Sequence, residues 1–126
     1  MVWKGGKNLK QMFIWVTLQK EFIHQYENAP CQVDFLRYPH RHILHIKVKI
    51  EVYHNDRELE FILVKRQIDN YLNLQFSSIG LDSSCEDVAD MIFSFVQGKY
   101  GTDRDVEITI SEDNENGCQL IYKKEV

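Results

Sequence analysis

Four of the five histidines fall between His24 and His45, and that crowding is the first chemistry the chain offers. His40 and His42 stand two apart at a strand entry, so their imidazoles project from one face. His24 closes the preceding strand and can approach the pair across a ladder. Three imidazoles with an open fourth position are the ligand set of a catalytic zinc site. The blander reading is that His-Arg-His lies at a strand edge and hydrogen-bonds backbone or ligand.

Arginine is the second constellation. Arg37 and Arg41 flank Tyr38 and Pro39, while Arg66 and Arg104 begin or precede other elements. The guanidinium offers a planar fork of donors for phosphate oxygens, and its face stacks on bases. Phe35, Tyr38 and Phe76 supply candidate stacking surfaces for a nucleobase. In the late turn SEDNENG, Glu112 can accept two parallel hydrogen bonds from a purine-like edge, with Asn114 beside it. The candidate ligand-binding set is therefore Arg37, Tyr38, His40, Arg41, His42, Arg66, Phe76, Arg104, Glu112 and Asn114. No nucleophile–base pair is evident, and no histidine follows His54, which weighs against a general acid–base relay. On the residues alone the expectation is a binder with no catalytic group, no metal and no cofactor.

These side chains need a scaffold, and 126 residues are one domain's worth. A net charge of −4 argues against bulk nucleic-acid binding but allows a small anionic ligand held by local arginines. Cys31, Cys85 and Cys118 are odd in number and lack CxxC spacing, which fits a reducing compartment. No apolar run has bilayer-spanning length and the first residues lack a signal-peptide core, so a cytoplasmic location is expected.

Residues 1–11 read as a flexible arm and 12–126 as one α+β domain. Residues 12–24 are β-branched and aromatic, hence a first strand. From His42 to His54, apolar Leu44, Ile46, Val48, Ile50 and Val52 alternate with polar neighbours, giving a second strand with one buried face. After a turn at His54–Arg57, residues 58–64 (ELEFILV) read as a third strand. Val64, Ile68 and Leu72 then fall four apart as a helix. A capping box at Ser83 and Glu86 starts another helix, with Gly98 suited to its end. Residues 106–111 and 118–123 complete a β-β-β-α-α-β-β order, an antiparallel sheet with two helices on one face.

The order His24, Cys31, His40, His42 on such a scaffold resembles the tunnelling-fold 6-pyruvoyl- and 6-carboxy-tetrahydropterin synthases. That resemblance implies zinc on the histidines, proton abstraction by Cys31 and a pterin-gripping Glu112. His-Arg-His stands where the family favours His-Gly-His, and the family's later Asp-His relay pair is missing. The string from Phe35 through Arg66, followed by SCEDVAD and SEDNENG, resembles the first family of phage Thoeris anti-defence proteins. That second resemblance implies a homo-oligomeric sponge (dimer or hexamer) in the host bacterial cytoplasm. It would sequester a cyclic ADP-ribose isomer without turnover, with Arg37, Arg41 and Arg66 on the pyrophosphate. The missing relay histidine favours the sponge, and the pterin-type zinc enzyme is its alternative. If Arg41 makes a charged hydrogen bond to an anionic ligand, Arg41→Ala weakens binding by about 1.5–3 kcal/mol, measurable by calorimetry.

Overall fold

The structure is a computed structural model describing residues 10–75 and 83–125. Residues 1–9 of the expected arm 1–11 lie outside the described residues, as do 76–82, which include Phe76. The strands are β1 (Met12–His24), β2 (His40–Val52), β3 (Val106–Glu112) and β4 (Asn116–Tyr122). They pair antiparallel in the order β1-β2-β3-β4. Helices α1 (Phe61–Gln75) and α2 (Cys85–Tyr100) interrupt the chain between β2 and β3. The class is α+β, an antiparallel sheet carrying two helices.

Parity organises the packing. In β2 the even residues Leu44, Ile46, Val48 and Ile50 are fully buried, and Ile108 and Ile110 continue that face onto β3. Val64, Ile68 and Leu72 of α1 and Val88, Ile92 and Val96 of α2 close over it. Each such side chain contributes roughly 1.5–3 kcal/mol by leaving water. On the odd face Trp15, Ile43 and Ile121 are about half exposed among the described residues.

The third strand expected over 58–64 is absent, because Phe61 to Val64 form the first turn of α1. Glu60 explains the switch: its carboxylate accepts the Ile62 N–H at 2.9 Å, and its carbonyl accepts the Val64 N–H at 3.0 Å. The acid thus supplies a helix start that the β-rich letters hide. Phe61, Ile62 and Leu63 stay exposed, while the four-residue spacing of Val64, Ile68 and Leu72 meets the sheet. Helix α2 also begins one residue later than the sequence suggests. Ser84 Oγ accepts from Asp87 N–H at 3.1 Å and Asp87 Oδ2 accepts from Ser84 N–H at 3.2 Å. Gly98 does not end it; Gly101 does, at φ 109°, donating to the Gln97 carbonyl.

The end of the sheet where β1 begins is closed by an ionic knot. Glu51 and Asp105 are both buried. Gln11 donates to both carboxylates, at 3.0 and 2.7 Å, and Lys124 Nζ reaches Glu51 at 2.8 Å. Beside them Arg104 is held by Glu58 at 2.5 Å and by the carbonyls of Tyr100 and Glu51. Burial alone would raise the Glu51 pKa, but the Asp105 N–H, Lys124 and Gln11 outweigh it and lower the value. The Lys124 and Gln11 hydrogen bonds lower Asp105 as well. No described helix is long and apolar enough to cross a membrane.

Depressed folded-state values stabilise the protein above the ordinary carboxylate values of 4.5 and 3.8, and that stability is lost as pH falls through the folded values. Urea melts at pH 7 and pH 3 check this. The midpoint should drop at pH 3, and the drop should shrink in Glu51→Gln, whose titrating group is gone.

Candidate functional site

The register of β1 on β2 puts His24 directly opposite His40 and Phe22 opposite His42. All three histidines sit at even positions, so they point to the helix-covered side. On the next strand Glu112 pairs with Leu44, bringing its carboxylate to the same end of the sheet. The imidazole centroids lie 4.5, 5.2 and 4.9 Å apart. One ring nitrogen from each falls within 4.8 Å of the others, a spacing that can hold a metal ion.

The outward nitrogens decide which atoms face inward. His24 Nδ1 meets the Ser83 carbonyl at 3.3 Å. His40 Nδ1 meets the Tyr38 carbonyl at 2.7 Å, and His42 Nδ1 meets Asp113 Oδ2 at 2.7 Å. Each partner is an acceptor, so each Nδ1 carries the proton and each Nε2 turns its lone pair inward. Burial lowers the His24 pKa, outweighing the Ser83 carbonyl and Glu112, which favours the neutral ligand form. Glu112 Oε2 approaches His24 Nε2 at 2.8 Å and His42 Nε2 at 3.3 Å. Despite that closeness, His24 Nε2, His40 Nε2 and Glu112 Oε2 are buried without a hydrogen-bond partner. The 2.8 Å approach is therefore proximity without hydrogen-bond alignment. Inward lone pairs beside an anionic oxygen are costly unless a cation sits among them. The residues fit a zinc ion.

Asp113 is the residue that the sequence reading missed. Its second oxygen accepts the Ile43 N–H at 2.9 Å, and its own N–H returns to the Ile43 carbonyl at 2.8 Å. Those contacts hold its carboxyl below the usual aspartate range, the Ile43 N–H first and His42 next. Asp113 and Asn114 take φ of 56° and 61°, a left-handed geometry that Asp and Asn tolerate. Gly117 follows because a Cβ there would come 2.0 Å from the Ile110 carbonyl oxygen. The Asp-Asn turn was the available signal, but its reach back to His42 spans 71 positions of sequence.

A cavity of about 400 Å³ adjoins the cluster, lined by His24, His40, Glu112, Ser84, Glu86 and Asn116 among others. A larger groove of about 950 Å³ contains Arg66, Asn114, Lys47 and Lys65, and none of the three clustered histidines. The smaller one is the cavity that the histidine cluster lines.

Of the expected ligand-binding residues, the structure brings His40, His42 and Glu112 together in one cluster and Arg66 and Asn114 together in the larger groove. The arginines scatter. Arg37 pairs with Asp34 at 2.9 Å, and Arg41 points to the odd face beside Glu21 at 3.5 Å. Arg66 lies exposed on α1, and Arg104 is committed to the ionic knot at the other end. Tyr38 is 68% exposed, and its part in the site is its carbonyl on His40. Asn114 Oδ1 accepts from Ser111 Oγ at 3.3 Å within its turn. Cys31 is exposed at the start of a short 3-10 segment, Cys31–Arg37, in the β1–β2 connection.

No family model matches the chain, and no curated protein matches it.

Asp113→Ala frees the His42 ring and should weaken zinc binding by about ten- to a hundredfold, read by competition with a chromophoric chelator. Asp113→Asn, which can still accept from Nδ1, should fall between.

Proposed function

We propose that this chain is a zinc-dependent enzyme of the tunnelling-fold pterin-synthase type, acting on a pterin- or purine-like substrate in the cavity beside the histidines. The observation that carries this reading is the set of three histidines whose Nδ1 atoms are each engaged by an acceptor, leaving their Nε2 atoms inward. His24, His40 and His42 would hold the ion. When bound, zinc supplies Lewis-acid polarisation of a substrate oxygen.

The chain's own groups supply the rest. The Ser83 and Tyr38 carbonyls and the Asp113 carboxylate fix the rings. The polar Ser84, Glu86 and Asn116 that line the cavity suit a heterocycle's donors and acceptors. Cys31 is the candidate proton acceptor, on the strength of the family resemblance. The half-exposed Trp15, Ile43 and Ile121 and the edge positions of β1 and β4 support assembly of several copies.

Sequestration of a cyclic nucleotide relies on Arg37, Arg41 and Arg66 converging on one anion. Their separate partners and faces give that reading less support than the histidine cluster gives zinc.

Metal analysis of purified protein should find about one zinc per chain, lost in His40→Ala and His42→Ala. With reduced pterins supplied as a panel, the wild type should convert at least one. Cys31→Ser should keep its zinc and lose about a hundredfold or more in turnover. A metal-free protein that releases an unaltered nucleotide after heat denaturation would restore sequestration.

A further inference from the structure

A carboxylate oxygen of Glu112 lies close to two of the three inward nitrogens. Its Oε2 lies 2.8 Å from His24 Nε2 and 3.3 Å from His42 Nε2, inside the protein and without a hydrogen bond. Ligands at about 2.0–2.2 Å from a tetrahedral zinc are separated by roughly 3.3–3.6 Å from one another. The Glu112 oxygen lies on the His24–His42 side of the cluster, close to that spacing, so a small side-chain shift brings it to a fourth corner. The backbone fixes it there: Glu112 is paired to Leu44 on one side and Asn116 on the other, at the last rung before the turn.

We propose that Glu112 is a displaceable fourth ligand that closes the metal site when the cavity is empty. The inference rests on the zinc reading above and assigns Glu112 a role beyond gripping the edge of a ring. Three protein nitrogens alone leave a position for water or substrate, whereas three nitrogens and a carboxylate complete a tetrahedron. The same side chain lines the 400 Å³ cavity, so it has space to swing away when a substrate oxygen takes its place. A carboxylate suits that exchange. It cancels one unit of the ion's charge while bound, and it is readily solvated or hydrogen-bonded once released. Its main-chain rung in the sheet need not move. The site would then be shut against adventitious water and small chelators until a substrate large enough to fill the cavity arrives.

The test uses purified full chain, stripped of metal and given one equivalent of cobalt(II), as wild type and as Glu112→Gln and Glu112→Asp. Metal content, the visible spectrum and its response to acetohydroxamate are read together. With Glu112 bound, wild type shows a four-coordinate spectrum that resists acetohydroxamate. Glu112→Gln holds cobalt about tenfold or more weakly, with a changed spectrum, and yields to acetohydroxamate at about tenfold lower concentration. Glu112→Asp, whose shorter arm keeps the carboxylate, falls between them. Identical spectra and identical acetohydroxamate responses, with one equivalent of cobalt in each protein, would sink the fourth-ligand role and leave the trihistidine site standing. Failure of wild type to hold cobalt overturns the zinc reading and this inference together.

Discussion

Everything at the candidate site depends on the antiparallel register between β1 and β2. With His24 facing His40, every even residue of both strands turns toward the helices. A slip of one residue would send one strand's imidazoles to the odd face and its aliphatic residues into water. The interaction that forbids the slip is the burial of Leu44, Ile46, Val48 and Ile50 against Ile68, Leu72, Ile92 and Val96. Core packing and the geometry of the histidine cluster are therefore one constraint. The residues that make the fold stable also fix which way the imidazoles point.

Much of this was legible in the letters because it is periodic. The alternation in β2 announces a strand, and the same parity places His40 and His42 on its buried side. Where periodicity fails, so does the reading. ELEFILV has strand-forming residue types, but the Glu60 carboxylate and the apolar spacing at Val64, Ile68 and Leu72 commit it to helix. The two competing propensities can be separated only by knowing that a sheet face waits four residues apart.

The site was half legible for a related reason. A pair of histidines two apart is local, and the His24–His40 juxtaposition needs only one hairpin-like pairing. Asp113 and Glu112 arrive from a strand that enters after both helices, so no local pattern ties them to His42. Arg37, Arg41, Arg66 and Arg104 illustrate the converse. Arg37 and Arg41 are close in sequence and suggested one anion pocket shared with the other two, yet Arg37, Arg41 and Arg104 go to separate ion pairs and Arg66 lies out on α1. Proximity in sequence is a guide to shared chemistry only where the backbone geometry keeps side chains on one face.

The knot of Glu51, Asp105, Gln11 and Lys124 bears on how the molecule carries load. Gln11 precedes the first strand and Lys124 follows the last, and both clasp the same buried carboxylate. A pull applied between them is thus met by charged contacts at that end of the sheet. The histidines lie at the far end of β1, 13 residues away at about 3.3 Å per residue, or roughly 40 Å of strand. Tension would open the clasp and peel the outer strands from their base while the histidine end stayed slack. The protein has, in effect, a mechanical end and a chemical end, joined by one strand pair.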